Sequence, residues 1–487
     1  MSYLGAQNSI ALGVQGIIAI DTGTGTPVVV TDPYWSSVSM LLHGDGVNAA
    51  QNNTFLDGST NNFTVTRAGN TTQGSFNPFV STYPYVVATN GGSAYLDGTG
   101  DYLSLPSNAA FQFPINGSFT IECWVRLTTT GVYQYAYSAG TATGATDLYF
   151  GVYNTNVMAF VVSSGLGVGS YLALGTTALV ANTWYHIAVT RSTSTVRFFL
   201  NGAAETIAST SGTSSVAMPS AAGPAYVGTY FGTASFLNGY ISNLRVVNGT
   251  AVYTAAFTPP TAPLTAVTNT ALLLNFTNGA IYDNAELNNL ETVGTAQIST
   301  SVFKYGTGSM KFNGTSDVLQ APNNTAFAFG TGDFTVEMWV YPTSSLASGP
   351  YVWHKMNGAG GTNPGVGWYI ETYGTSIVFG SNTSSTPGVG ISANFAYTLT
   401  LNAWTYLAFT RVGSVLTLYV NGVQQTPQTI TNANLSADNS FPVQLGGWTA
   451  YSTTYFPGYI DDLRITKGVA RYTANFTPPT ATFPTGP

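Results

Sequence analysis

The chain has 487 residues, 44% of them apolar, 13% aromatic and only 6% charged, with 54 glycines and a formal net charge of −7. A charged fraction so far below the globular norm of about 25% leaves no basic patch to neutralise phosphates, which excludes nucleic acid and anionic membranes as partners. The apolar fraction excludes disorder, the one cysteine, Cys123, excludes an internal disulfide and a cysteine-based zinc site, and the length admits two domains with full cores.

Residues 1–37 contain an apolar run from Ile10 to Ile20 that is broken by Gly13 and Gly16 and lacks a basic flank, so it reads as neither a secretory signal nor a membrane span. Nothing later in the chain repeats this segment. Apolar surface without a partner of its own is expected to dock, and another subunit is preferred here over a strand added to its own domain.

From residue 38 the chain runs twice through one pattern, giving expected domains at 38–263 and 264–487. SMLLHGDG (39–46) opens the first copy and ALLLNFTNG (271–279) the second. GSAYLDGTGDYLSLPSNAAFQF (92–113) matches GSMKFNGTSDVLQAPNNTAFAF (308–329), and SFTIECWV (118–125) matches DFTVEMWV (333–340). NTWYHIAVTRSTSTVRFFLNG (182–202) matches NAWTYLAFTRVGSVLTLYVNG (402–422), with strands punctuated by Asn-Gly and Asp-Gly turns.

The closing stretches, 239–260 and 458–479, align at an offset of 219 with 14 of 22 letters identical, which establishes an internal duplication. Period two places Tyr459, Leu463 and Ile465 on one strand face and Ile460, Asp462 and Arg464 on the other. Gly468 ends the strand, and Pro478 with Pro479 makes the run after Phe476 an extended lace. No helix of ordinary length fits either copy, and the expected fold is all-β: two tandem antiparallel jelly-roll sandwiches preceded by an N-terminal arm.

This ordered set of blocks resembles the concanavalin A-like lectin superfamily, and within it the laminin-G-like domains of phage and bacterial surface proteins. LRITKGVARYTANFTPPTA (463–481) and ALLLNF (271–276) are similar to the tandem domains of phage virion structural proteins. The resemblance implies extracellular or virion-surface binding, often of glycans and sometimes with calcium. It leads to the expectation of a fibre or decoration component on the virion surface, made in the host cytoplasm without a leader. Such a component would be oligomeric in the particle and held by other virion proteins through its arm. A purely structural cement protein is the alternative.

Glu122 with Trp124, and Glu337 with Trp339, share a face type with Arg245 and Arg464; this is either a polar, aromatic sugar-binding surface or a cross-strand Glu–Arg pair under a packed Trp, and the scarcity of charge favours the structural pair. Glycosidases of the superfamily set paired carboxylates along one strand. Neither Glu122 nor Glu337 has a carboxylate at i+2 or i+4, so a polysaccharide-degrading enzyme is disfavoured. His43, His186 and His354 have no G-x-S-x-G elbow beside them and read as structural, and the glycine run 165–169 lacks the helix and Lys of a phosphate loop.

Calcium is a candidate at Asp101, Asp317, Asp461 and Asp462, although Ser242 and Asn243 replace the last pair in the first copy, and Asp101 and Asp317 also suit turn-forming Asx residues. Recognition is expected from aromatic side chains: Tyr133, Tyr135 and Tyr137 on one face of a strand, and Trp448, Tyr451 and Tyr455 opposite Tyr230, Phe231 and Phe236. Ordinary cross-strand packing is the competing account of these rings.

Overall fold

The computed structural model describes residues 31–81, 83–113, 117–140, 147–163, 171–212, 223–356, 367–382, 390–430, 435, 442–449 and 454–487. The fold is all-β; the only α-helical segment among the described residues is the single turn Val87–Asn90. Strands that alternate β-branched or aromatic residues with small polar ones, closed by Gly and Asn turns, build four antiparallel sheets, two per sandwich.

One compact unit consists of residues 52–82 and 86–279. Its first sheet runs in the order Ile207–Ser211, Tyr171–Ala178, Val157–Ser163, Asp147–Val152, Gln134–Ala139, Gly223–Val227, Tyr102–Asn108, Thr66–Ala68. Its second runs Ala203–Glu205, Thr195–Leu200, Tyr185–Ser192, Phe119–Leu127, Asn238–Asn248, Ser93–Asp97, Thr72–Gly74, with Thr270–Leu274 also paired to Asn238–Asn248. Between the sheets lies a core that includes Phe119, Ile121, Cys123, Tyr137, Phe150, Phe160 and Ile241. Cys123 fills core space there, and burial pushes its thiol far above the ordinary range.

The other unit holds the described residues up to Gln51, residues 83–85 and residues 280–487. One of its sheets centres on Pro457–Lys467, flanked by Phe334–Pro342 and Ser309–Asn313; the other is ordered Glu291–Val293, Val318–Ala321, Val443–Leu445, Tyr351–Met356, Gly367–Tyr373, Ser376–Asn382, Gly390–Ala396. Its core stacks Phe329, Phe334, Trp368 and Phe379.

The opening strands sit elsewhere than the linear repeat pattern suggests. Val38–Leu42 pairs with Pro457–Lys467, setting Leu42 against Leu463, so the first copy's opening strand belongs to the second copy's sandwich. Thr270–Leu274 pairs with Asn238–Asn248, setting Leu274 against Leu244, and belongs to the first. Each repeat thus finishes with the strand that opens the other. A buried aspartate clasps each exchanged strand by its free edge: Leu273 N–H donates to Asp57 Oδ1 at 3.0 Å, and Leu41 N–H to Asp283 Oδ1 at 2.9 Å. These clasps satisfy strand donors that no neighbouring ladder reaches.

The described part of the expected docking arm is also tied to its own chain, since Asp32 and Trp35 are buried in the second-repeat sandwich. Residues 1–30 lie outside the described residues.

The closing strands correct the expected alternation. Ile460, Leu463 and Ile465 face the core, whereas Tyr459 lies on the outer face beside Tyr341. The cause is a β-bulge: Glu337 pairs with Arg464 but Trp339 pairs with Asp461, and Asp462 takes a φ of 47°. Asn243, at a φ of 51°, makes the same bulge in the first repeat. The laces beyond the closing strands are anchored on Asn-Gly turns, with Phe257 N–H donating to Gly202 O at 2.9 Å and Phe476 N–H to Gly422 O at 3.0 Å. At φ values of 76° and 77° both glycines are left-handed, and a Cβ would collide with the carbonyl of Phe257 or Phe476.

Candidate functional site

Each sandwich presents two outer sheet faces, and the lace covers the one with the Glu–Arg pair. In the first repeat Arg245 donates through Nε to Glu122 Oε1 at 2.9 Å and through Nη1 to Thr265 O at 2.8 Å. Tyr253 OH donates to Glu122 Oε2 at 2.8 Å, and His186 Nε2 lies 3.2 Å from the same oxygen. Tyr253 and Phe257 stack at 3.6 Å over this cluster's sheet. Burial pushes the Glu122 carboxyl up, but His186 and Arg245 outweigh it and hold it below its ordinary value.

The second repeat rebuilds the cluster. Arg464 Nε donates to Glu337 Oε1 at 2.8 Å, Tyr472 OH donates to Oε2 at 2.6 Å, and Tyr406 replaces His186 on that oxygen. Here Asp32 takes the place of the Thr265 carbonyl, accepting from Arg464 Nη1 at 3.0 Å and from Arg471 Nη1 and Nη2 at 3.0 and 2.8 Å. Glu122 and Glu337 are fully buried, and Trp124 and Trp339 pack within this covered layer against His186 and Tyr406. In both repeats the Glu–Arg pairs are thus buried beneath the lace.

The four aspartates go to separate loop clasps. Asp101 accepts from Asn70 N–H at 2.7 Å and Asp97 N–H at 3.1 Å; Asp317 accepts from Thr295 N–H at 2.6 Å and Asn313 N–H at 2.9 Å. Both tie neighbouring turns together, and the Asx-turns themselves belong to Asp97 and Asn313. Asp462 caps the lace through Phe483 N–H at 2.9 Å, where Asn243 does the same for Leu264 N–H at 2.8 Å, and it also contacts His43 Nδ1 at 2.7 Å. Asp461 points away to the N–H groups of Lys304 and Tyr305, at 2.7 and 3.2 Å. Among the described residues no three His, Cys, Asp or Glu side chains converge on a metal-sized site. Because all of these oxygens except Asp461 Oδ1 already serve backbone donors, excess chelator is expected to leave the thermal midpoint unchanged; a drop of several degrees, reversed by calcium, would restore the cation reading.

Asp461 Oδ1 is buried without a hydrogen-bond partner, and burial raises its carboxyl to about 7. Its folded value exceeds the unfolded one, so its contribution to stability is complete below about pH 4 and is lost as pH rises through about 7. Asp461→Asn keeps an acceptor for both amides and removes the buried charge. It is expected to stabilise the protein at pH 8 by on the order of 2 kcal/mol and by almost nothing at pH 4, read from urea midpoints at the two pH values.

The other sheet of each sandwich carries no such lace among the described residues, and its outer face holds a cluster of rings in the same register in both repeats. In the first, Tyr149 lies beside Ser138 and Ser138 beside Tyr226; in the second, Tyr369 lies beside His354 and His354 beside Gln444. The ring of Tyr135 is 4.7 Å from Tyr149 and 6.2 Å from Tyr230, and Tyr149 is 5.2 Å from Tyr230. Equivalently, Tyr351 is 5.4 Å from Tyr369 and 5.7 Å from Trp448. Tyr135, Tyr230 and Trp448 are among the recognition residues expected from the sequence; Tyr149, Tyr351 and Tyr369, which complete the two triads, are not. Aligning the two copies by strand register is the signal that finds them.

Other expected residues fall elsewhere. A bulge at Ala136 breaks the alternation, so Tyr133 is exposed, Tyr135 lies on the outer face and Tyr137 is fully buried in the core; the three do not line one face. Phe231 is buried beside Tyr230 at 4.7 Å, and Tyr455 is partly buried, bridged to Tyr351. Tyr451 and the glycine run 165–169 lie outside the described residues. His354 is buried between Tyr351 and Trp448, and its Nε2 is 2.9 Å from Gln444 Oε1. Burial holds it neutral, down to about 3. Gln444 Nε2 in turn donates to Gln320 Oε1 at 2.7 Å, so these amides flank the second triad where Tyr226 and Ser104 stand in the first.

The sequence pattern of the laminin-G-like family described as "Concanavalin A-like lectin/glucanases superfamily" matches residues 96–252 and 313–471. No curated protein sequence matches the chain. Among solved structures, the LG4-5 domains of the mouse laminin alpha1 chain are 14% identical, with 80% of this chain and 91% of that one covered at a TM-score of 0.30. The binding domain of Paraclostridial Mosquitocidal Protein 1 is 18% identical, covering 39% and 47% at 0.31. Domain 4 of the arabinanase AbnA from Geobacillus stearothermophilus, in complex with arabinotriose, is 21% identical, covering 36% and 77% at 0.27. Likenesses this distant carry no argument about what this chain binds. No described helix is long and apolar enough to cross a membrane.

Proposed function

We propose a function from the premise that the chain belongs to the concanavalin A-like lectin/glucanases superfamily: it is a non-enzymatic virion-surface protein, a fibre or decoration component, whose two sandwiches bind host-surface glycans through their aromatic triads. One observation carries the binding reading. The same three rings recur at the same register in both sandwiches, on the sheet face that the lace leaves uncovered. Aromatic faces stack on the C–H faces of sugars, while the neighbouring Ser138, His354 and Gln444 are buried and hydrogen-bonded within the sheet, where they hold the rings in place. The non-enzymatic part rests on Glu122 and Glu337, both buried and committed to arginine. The virion part rests on the resemblance of the closing and opening phrases to phage structural proteins.

Adsorption of the full-length protein to candidate host cells and to a glycan array tests this. Tyr149→Ala and Tyr369→Ala are each expected to weaken binding about tenfold, and together to abolish it, with the thermal midpoint moving by only a few degrees. A purely structural decoration role is favoured by one fact, the burial of Tyr135 and Trp448 to 6% exposure, which suits rings spent on cross-strand packing. That reading gains if the double variant binds as the wild type does, or if neither binds cells while both attach to particles.

A further inference from the structure

We infer, resting on the glycan reading above, that the two sandwiches take ligands of different length: the first repeat an extended, uncharged, linear glycan of at least three units laid across its strands, the second a short terminal unit. The rings of the first repeat do not stop at the triad. From Tyr149 and Tyr230 they continue to Phe231 at 4.7 Å from Tyr230, to Tyr226 at 5.9 Å from Phe231, to Tyr102 at 6.0 Å from Tyr226, and to Phe236 at 6.3 Å from Tyr102.

Tyr149, Tyr226 and Tyr102 stand on Asp147–Val152, Gly223–Val227 and Tyr102–Asn108, which with Gln134–Ala139 are four adjacent strands of one sheet. Four strands spaced about 4.8 Å apart make a strip of about 14 Å, the length of roughly three sugar rings in a linear chain. Except for Phe231, which is buried, the rings named are half-buried. Burial, with the Asp147 carboxyl acting in the same direction, raises the hydroxyls of Tyr149 and Tyr230, and no Lys or Arg among the described residues acts on either ring, so this end of the strip offers no cation to an anionic ligand.

Among the described residues the second repeat has the triad without the extension. At the positions of Tyr226, Tyr102 and Phe231 it carries Gln444, Val318 and Thr449, and Gln444 is engaged by His354, Gln320 and Thr449. Among the described residues stacking there ends at Trp448.

The test uses the full-length protein with linear neutral oligomers of one to six units (β-1,4-glucan, α-1,4-glucan, β-1,4-xylan and α-1,5-arabinan) and with polygalacturonate as the anionic probe. Binding is followed by calorimetry. Tyr369→Ala isolates the first site, and Tyr149→Ala the second. The expected result is a neutral series whose affinity for the first site rises about tenfold between one and three units, while the second site shows no gain beyond one or two. Tyr226→Gln and Tyr102→Val, each importing the residue of the other repeat, should flatten that rise without loss of monosaccharide binding or of the cooperative melt.

Equal length dependence at both sites, a rise that survives both substitutions, or preference for polygalacturonate overturns the inference and leaves the triads as binding sites. Undiminished binding by the Tyr149→Ala/Tyr369→Ala double variant, or none to any probe or host cell by the wild type, overturns the glycan reading itself.

Discussion

Residues 52–279 expressed alone are expected to fold and to melt cooperatively, whereas residues 264–487, the second copy as the repeat pattern delimits it, are expected to stay unfolded. The fragment 52–279 holds both sheets of the first-repeat sandwich, its exchanged strand Thr270–Leu274 and the Asp57 clasp on Leu273. The fragment 264–487 carries that strand away from its partner and lacks Val38–Leu42, whose Met40, Leu41 and Leu42 are 1%, 0% and 0% exposed in the second-repeat sandwich.

Burial of side chains of this size contributes about 1.5–3 kcal/mol each, so their loss costs roughly 6 kcal/mol, against a total stability of about 5–15 kcal/mol for a domain. Without that strand the donors and acceptors of Met40 to Leu42 no longer cover Leu463 to Ile465 at the edge of the sheet. Arg464 and Arg471 also lose Asp32. Circular dichroism melts of the two fragments decide the matter. A cooperative transition for 264–487 near that of the full chain would refute the exchanged-strand account. Recovery on adding a peptide of residues 31–51 would support it.

Much of this architecture is legible in the sequence because it rests on local signals that survive duplication. Alternating strands, Asn-Gly turns and the closing blocks give the all-β class, the two sandwiches and the Glu122–Arg245 and Glu337–Arg464 pairs, since residues directly opposite in a ladder must match chemically. The exchange of opening strands is not legible. SMLLHGDG and ALLLNFTNG are both short apolar strands that satisfy either sheet, and a period-two pattern says which face a strand buries but not which sandwich receives it. The bulges at Asp462 and Ala136 are hidden for a related reason: one extra residue reverses the alternation across the bulge, which puts Tyr459, before the first, on the outer face and Tyr137, after the second, in the core. Tyr149, Tyr351 and Tyr369 do not stand out because they sit in strands of ordinary composition, and only the register shows that they meet Tyr230 and Trp448.

Replacing Asp32 is expected to be the most damaging single change in the second-repeat sandwich. Asp32 lies in the segment before the exchanged strand, 2% exposed, and is the acceptor shared by Arg464 and Arg471. Arg464 is also bound to Glu337, so removing Asp32 leaves two buried guanidinium groups facing one carboxylate. Breaking a buried pair in this way costs about 3–5 kcal/mol, because the remaining charge stays desolvated. Asp32→Ala should therefore lower the midpoint of the second-repeat transition by several degrees, and Asp32→Asn by less, since the amide oxygen still accepts.

The first-repeat transition should not move, as Arg245 uses the Thr265 carbonyl at the equivalent place. The pH dependence has a definite sign. Burial pushes the Asp32 carboxyl up, but Arg464 and Arg471 hold it below its ordinary 3.8. Its contribution is thus present above about pH 4 and is lost as pH falls through the lowered folded value. Wild type and Asp32→Ala should differ fully at pH 7 and converge below pH 3, opposite to the course expected for Asp461→Asn, whose gain appears only as pH rises. Urea midpoints for both variants at pH 3, 5 and 7 separate the two effects, and an Asp32→Ala penalty that persists undiminished into acid would show that the loss is one of packing and not of charge.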